Sequence, residues 1–161
     1  MPNNPTDLHL KTEKASQKDW LNILDILKGA GLKGYMSGKE TYKSFYTVKD
    51  SSKNKIIGCF AISIKNSIGI VKSFAIKKNL QGKGLGKVIA NSLINTAKEL
   101  NLKTLYASSW EAPEFWIKTN FKETSSRKIN DSFFLNYINS LEKDFPDLFK
   151  SIKHFILLIK D

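Results

Sequence analysis

Hydrophobic positions along this chain change period several times, and each change marks a boundary between elements. Leu8 to Lys11 alternates weakly, as a short first strand would. Ser16 is then placed to cap an amphipathic helix in which Trp20, Leu21, Ile23, Leu24 and Leu27 form the apolar face, with Gly29 and Gly31 at its end. The segment Gly31 to Thr41 is glycine-rich and poorly periodic, which fits a loop or a short second helix. Two strand-like runs, Ser44 to Val48 and Lys55 to Lys65, flank Lys49-Asp50-Ser51-Ser52-Lys53-Asn54, a set of turn formers suited to a hairpin. A third run, Gly69 to Ile76, follows across Asn66-Ser67, so three successive strands are expected to form an antiparallel meander.

The period then switches to that of a helix. Leu85, Val88, Ile89, Leu93, Ala97 and Leu100 share one face over about four turns. Lys103 to Ser108 reads as the next strand, so Ile70 to Ser108 is a strand, glycine loop, helix and strand, a crossover that makes its two strands parallel neighbours. Pro113 suits the first turn of a short helix carrying Phe115 and Trp116, with Phe121 at its exit. Beyond Phe121 come a polar stretch, a helix around Ser132 to Lys143, a turn led by Pro146, and an apolar strand from His154 to Ile159. No repeat or linker interrupts this order, so residues 1–161 are expected to form one domain, with a core at about 55–121, a helical insertion at about 125–152 and a final strand at 153–160.

Composition narrows the class. With 41% hydrophobic and 25% charged residues the chain is globular rather than disordered or collagenous. Its single cysteine, Cys59, can form no disulfide within the chain, and no set of cysteines and histidines suits a structural zinc, so no metal is expected and a reducing, cytoplasmic compartment is. The N-terminal MPNNPTDLHLK lacks the charge and apolar run of a signal peptide, and no stretch of about 18 apolar residues suggests a membrane span. Charge is the anomaly. The formal balance of +11 invites an anionic partner. The lysines are scattered, however, and Arg127 is the only arginine, which argues against base readout on nucleic acid and leaves a phosphorylated cofactor or a compositional bias.

The glycine loop favours the cofactor. Gly82, Gly84 and Gly86 stand at a strand-to-helix junction, where missing Cβ atoms allow close backbone approach and the first helical turn points unpaired N–H groups outward. With the helix dipole and with Lys83 and Lys87, such a turn suits a phosphate or pyrophosphate. A P-loop needs Gly-Lys followed by Ser or Thr, but Gly86-Lys87 is followed by Val88. A dinucleotide fingerprint fails as well, because the third glycine comes one position early and no acid lies within Asn101 to Trp110.

What fits is Gln81-Gly82-Lys83-Gly84-Leu85-Gly86, preceded by the strand Val71 to Ile76 and followed by the long helix. This resembles the GNAT family of acetyl-CoA-dependent N-acetyltransferases, whose signature is Q/R-x-x-G-x-G/A, with Gln81, Gly84 and Gly86 at the signature positions. The resemblance continues through Tyr106 and Phe115 to Phe121. It implies an α/β (α+β) fold: a central mixed, mostly antiparallel sheet of six or seven strands flanked by helices, with the cofactor cleft between splayed parallel strands. It implies acetyl-CoA as donor, its pantetheine arm along the main chain of Phe74, Ala75 and Ile76 and its pyrophosphate on the amides of Gln81, Gly82, Lys83, Gly84, Leu85, Gly86 and Lys87. It further implies direct attack by a primary amine, with the N–H of Phe74 or Ile76 facing the developing oxyanion.

Catalytic candidates are less regular. Many relatives carry a proton-donating tyrosine where this chain has Trp116, whose indole donates a hydrogen bond but no proton near neutrality. A thiolate of pKa about 8.5 departs with little help, so activity is still expected. Tyr106, Ser108, Ser109, Glu111 and Glu114 remain as groups that could order a water to take the amine proton, although each Glu also complements the helix N-terminus at Pro113. Asn120 stands where relatives have glycine, and asparagine tolerates a left-handed backbone. The non-tyrosine aromatic at 116 and the helix-plus-strand tail resemble the branch containing the acetyltransferase domain of N-acetylglutamate synthase and the arsenic-resistance acetyltransferases, which implies a small amino-acid-like acceptor. Acetylation of a protein lysine or N-terminus and a turnover-deficient acetyl-CoA sensor are the alternatives. Homodimers are frequent among such relatives.

Overall fold

The computed structural model describes residues 9–32, 41–109 and 112–160. Its strands are β1 (Leu10–Lys14), β2 (Phe45–Asp50), β3 (Lys55–Lys65), β4 (Ile68–Ile76), β5 (Thr104–Ser109), β6 (Lys122–Thr124) and β7 (Lys153–Leu158). Its α-helices are α1 (Trp20–Gly29), α2 (Leu85–Glu99), α3 (Pro113–Lys118), α4 (Ser132–Asp144) and α5 (Pro146–Phe149). The strands form a seven-stranded sheet in the order β1-β2-β3-β4-β5-β7-β6, with β4 and β5 parallel and β1–β2, β2–β3, β5–β7 and β6–β7 antiparallel. The mixed, mostly antiparallel sheet and the parallel crossover agree with the sequence expectation. Residues cluster into two compact units, Met1–Ser63 with Lys72–Thr96, and Ile64–Val71 with Ala97–Asp161.

In the first unit β3 is buried continuously from Ile57 to Ile62, as a strand covered on both faces must be. Cys59 and Ala61 join Ala15, Phe45, Ala75 and the Ile23, Ile26 and Leu27 stripe of α1 in one apolar cluster. A Cβ on Gly58, on the opposite face, would come within 2.6 Å of Ile89 Cδ1 on α2. Burying Ile23 and Leu27 completely contributes about 1.5–3 kcal/mol each to holding α1. The expected cap at Ser16 is a capping box: its N–H donates to Asp19 Oδ2 at 2.9 Å and its hydroxyl to the same oxygen at 3.1 Å. These bonds open a 3₁₀ turn, Gln17–Asp19, that runs into α1. Gly31, with φ +74°, lies just past the helix, in the left-handed conformation that favours glycine. Most of the expected Gly31 to Thr41 loop and Leu8 lie outside the described residues.

In the second unit Ile70, Tyr106, Ile129, Phe134 and Ile138 form the core under α4. Asp131 caps α4 by accepting from the Phe134 N–H at 2.9 Å. The polar stretch after Phe121 contains a strand that local pattern does not announce, since Lys-Glu-Thr of β6 pairs with β7 while exposing Lys122 and Glu123. The turn led by Pro146 is the short helix α5. Asn120 adopts φ +74°, the left-handed conformation foreseen where relatives use glycine.

Candidate active site

In the first unit β4 leads into the glycine loop. Phe74 is half-buried and stacks near Phe60 with ring centroids 6.5 Å apart, while Ala75 is buried against the α1 side and Ile76 is half-buried. The Lys77 N–H donates to the Ile57 carbonyl at 2.8 Å, which holds the strand end in the sheet. A 3₁₀ turn, Lys78–Leu80, follows, and the Gln81 side-chain Nε2 reaches back to donate to the Ile76 carbonyl at 3.1 Å.

Gly82 and Gly84 then take φ +76° and +78°, conformations that cost a β-carbon-bearing residue about 1–2 kcal/mol. A Cβ at Gly82 would meet no protein atom within 4 Å, so backbone conformation, rather than crowding by the protein, demands glycine there and leaves room beside the loop. Directly behind stands α2, 15 residues long, with Leu85 buried and Gly86 half-buried in its first turn. Its first N–H groups lack intrahelical acceptors, and the Lys83 and Lys87 side chains are exposed beside them. Such a junction suits a diphosphate, with backbone donors, the positive dipole end and two ammonium groups acting together. Lys77 and Lys78 instead line a cleft of about 790 Å³ with Lys18, Asp19, Asn22 and Lys49, to which no residue of 81–87 contributes.

The second unit holds the remaining catalytic candidates, and it sorts them into separate surroundings. Tyr106 is buried, with its ring 4.2 Å from that of Phe134, and burial together with the Asp131 charge raises its pKa. Trp116 is buried edge-on between Phe115 and Phe121, at centroid distances of 5.2 and 4.9 Å. Its carbonyl accepts from the N–H groups of Thr119 and Phe121 at 3.2 and 3.0 Å and from the Thr119 hydroxyl at 3.0 Å, which fixes the end of α3. Ser109 Oγ accepts from the Ala112 N–H at 3.1 Å and so closes the turn into α3. Glu114 is exposed in the first turn of α3, and Glu111 lies outside the described residues.

One polar contact is absent from the sequence reading. Ser108 Oγ lies 2.8 Å from Nδ1 of His154, because β5 and β7 pair Ser108 with His154. The only signal in the sequence is parity: Tyr106 and Ser108 alternate on β5 as His154 and Ile156 do on β7. Among the described residues no group of three His, Cys, Asp or Glu side chains is placed to hold a metal ion, and no helix is long and apolar enough to cross a membrane.

Comparison with known proteins identifies the class. The model of the acetyltransferase (GNAT) family matches residues 13–114, more than half the chain, and the chain belongs to that family. The family is one of acetyltransferases, and its acetyl donor is acetyl-CoA.

Among particular relatives, an amino-acid acetyltransferase of Mycobacterium tuberculosis (strain ATCC 25618 / H37Rv) is 25% identical over 81 residues, which are 50% of this chain and 46% of that protein. The chain thus spans about half the length of this curated relative. The fold is similar to that of Rv2747 from Mycobacterium tuberculosis, solved in complex with CoA and NLQ, with a TM-score of 0.72 at 17% identity over 93% of this chain and 99% of that one. It is similar also to N-acetylglutamate synthase from Neisseria gonorrhoeae, complexed with coenzyme A and N-acetyl-glutamate, with a TM-score of 0.73 at 14% identity over 95% of this chain and 36% of that one.

Proposed function

We propose that the chain transfers the acetyl group of acetyl-CoA to the primary amine of a small amino-acid-like molecule. The observation that carries this reading is the pair of left-handed glycines, Gly82 and Gly84, leading straight into a 15-residue helix behind the edge of β4. In this reading the amides of Gln81 through Lys87 hold the pyrophosphate, and the main chain of Phe74, Ala75 and Ile76 holds the pantetheine arm in the manner of an added strand. The amino-acid class of acceptor is supported by the names of the two relatives above that specify an amino-acid product or substrate. The family match runs through segments of both compact units, which supports reading residues 1–161 as one acetyltransferase domain.

The chemistry needs little covalent participation by the protein. The unprotonated amine attacks the thioester carbonyl carbon, an N–H at the end of β4, from Phe74 or Ile76, stabilises the charge growing on oxygen, and the C–S bond breaks. Trp116, buried between two phenylalanines, shapes the unit rather than supplying a proton. The thiolate leaves unaided and takes a proton from water.

The test is release of CoA thiol from acetyl-CoA against a panel of amino acids, polyamines and lysine peptides, with binding of CoA measured calorimetrically. Gly84→Asp is expected to abolish CoA binding, since it places a negative side chain at a left-handed position beside the diphosphate. Lys87→Glu, which strains nothing in the loop, is expected to weaken it. Micromolar CoA binding retained by both variants would show that the loop is not the site. Turnover confined to lysine peptides would replace the small-molecule reading with protein acetylation, and tight binding without turnover would favour a sensor.

A further inference from the structure

We propose that the cleft beside α1 binds a small organic polyphosphate, a carbon body carrying two or more phosphate groups. The cleft, of about 790 Å³, is lined by residues of the first compact unit alone, and no residue of the glycine loop 81–87 reaches it. The site therefore goes beyond the acetyltransferase reading and does not rest on it. Three walls meet there. The 3₁₀ turn into α1 and α1 itself contribute Lys18 and Asn22, the β2–β3 connection and the start of β3 contribute Asn54 and Lys55, and the chain leaving β4 contributes Lys77 and Asn79. Each wall thus presents one ammonium and one amide, and Lys78 adds a further ammonium beside Asn79.

The charges around the cleft divide into matched and unmatched ones. Lys49 is matched: its side chain is 16% exposed, and its Nζ lies 3.7 Å from both Glu13 Oε1 and Asp19 Oδ1. Asp19 is matched as well, since its Oδ2 accepts from the Ser16 N–H and hydroxyl, and it repels an incoming anion less than a free carboxylate would. Of the two lining acids only Asp25 is exposed. Lys18, Lys55, Lys77 and Lys78 form no ion pair among the described residues. A concave wall of one sign focuses its field and raises the local concentration of an anion.

A chain of net charge +11 carries lysine on many surfaces, so lysine alone marks nothing. Here unmatched ammonium groups converge on one concavity from three separate segments, each with an amide at its side. Lysine holds phosphate as a point charge, and the asparagine NH₂ groups donate to the remaining phosphate oxygens. A phosphate group carries about −1.5 to −2 at pH 7 where a carboxylate carries a single charge, so an excess of unmatched ammonium groups favours phosphate. Spread over three walls, that excess matches a ligand with more than one such group. The volume lies in the range of about 300–1,000 Å³ that takes a whole organic ligand rather than a lone ion. Ile26, buried, and Ile56, half-buried, supply an apolar stretch for its carbon body.

The probes are ATP, inorganic pyrophosphate and citrate, titrated calorimetrically into the full chain at about 0.15 M salt, with and without saturating acetyl-CoA. The cleft variant combines Lys18→Glu with Lys55→Glu, and the control, Lys98→Glu with Lys143→Glu, makes the same charge change at exposed positions outside the cleft. ATP and pyrophosphate are expected to bind the acetyl-CoA-loaded wild type. The cleft variant is expected to lose about tenfold or more in affinity for both, the control to stay within about threefold, and citrate to bind about tenfold more weakly than ATP. NMR gives a readout that needs no variant: ATP should move the side-chain amide signals of Asn22, Asn54 and Asn79 and leave the backbone signals of Gly82, Gly84 and Gly86 in place. Absence of ATP binding at millimolar concentration, equal losses in cleft variant and control, citrate as tight as ATP, or shifts confined to the glycine loop would each overturn the proposal. So would displacement of ATP by acetyl-CoA, which would make the cleft part of the cofactor's own site. A wild type that fails to bind acetyl-CoA overturns the acetyltransferase reading instead, and titration of the unloaded chain with the same shift mapping still decides the cleft.

Discussion

The side chain of Gln81 closes the strand-to-loop turn on Ile76, its Nε2 donating to the Ile76 carbonyl at 3.1 Å. The contact spans the 3₁₀ turn between β4 and the two left-handed glycines, so it fixes the direction in which the loop leaves the strand. It is exposed to solvent, and one such bond is worth about 0.5–1.5 kcal/mol. Gln81→Ala is expected to weaken acetyl-CoA binding about two- to tenfold with little change in melting temperature. Gln81→Glu, which replaces the donor by an anion near the diphosphate, is expected to weaken it further. Calorimetric titration checks both, and wild-type affinity in Gln81→Ala would mean the brace is dispensable for loop geometry.

Much of the fold was legible where burial and period coincide. The pattern of Lys55 to Lys65 carries the bounds of β3, because six consecutive residues, Ile57 to Ile62, are buried on both faces and no polar residue interrupts them. The glycine loop was legible because two left-handed positions and a helix start leave a mark in residue type that pattern alone carries. β6 was not, since Lys122, Glu123 and Thr124 are strand by virtue of pairing with His154 to Ile156 and bury little of their own. Ser108 and His154 meet across 46 positions through the β5–β7 register, which no local period encodes. Trp116 shows in the sequence only as a departure at a catalytic position, and its edge contacts with Phe115 and Phe121 depend on how α3 turns back through Asn120.

Stability should depend on pH through Asp19. Its burial raises the carboxyl pKa, but the Ser16 N–H and hydroxyl, with Lys49 and Lys18, outweigh that and bring it below 3.8. Lys49 Nζ stands 3.7 Å from Asp19 Oδ1. Because the folded pKa is the lower one, the carboxylate stabilises the fold at every pH above the unfolded value and loses that effect as pH falls through the folded value. Asp19→Asn is expected to cost about 1 kcal/mol at pH 7, roughly 2–4 °C in melting temperature, and the gap to wild type should narrow below about pH 4. Thermal unfolding at pH 7 and pH 3 measures it. A gap that stays constant across that range would remove the charge from the account.

Cys59 should be chemically silent in the native state. It is fully buried in the α1-facing cluster, and burial pushes its thiol pKa up to about 12. Reaction with a disulfide reagent requires thiolate and access, and the native protein offers neither at pH 8. Native protein is expected to release no chromophore over the minutes of a thiol-release assay, while denatured protein should react with one equivalent, matching the single cysteine. Rapid labelling of the native chain would show that the cluster opens on that timescale.

Gly58 and Ile89 set the approach of α2 to β3, and their coupling is measurable. A Cβ at Gly58 would sit 2.6 Å from Ile89 Cδ1 and 3.0 Å from the Ala75 carbonyl oxygen. The first atom is the tip of a side chain and can be removed, whereas the second belongs to the backbone of β4 and must move with the strand. Gly58→Ala is therefore expected to destabilise by about 1–3 kcal/mol. Ile89→Val alone, which deletes the methyl in the way, is expected to cost about 0.5–1.5 kcal/mol. The double variant should be less destabilised than the sum of the two, with the shortfall measuring the relieved clash and the residue left over measuring the strain at Ala75. Since Ala75 lies between Phe74 and Ile76, that residual strain should also appear as weaker acetyl-CoA binding in the double variant. Additive losses in urea unfolding, with CoA affinity unchanged, would place the helix–sheet contact elsewhere than at this pair.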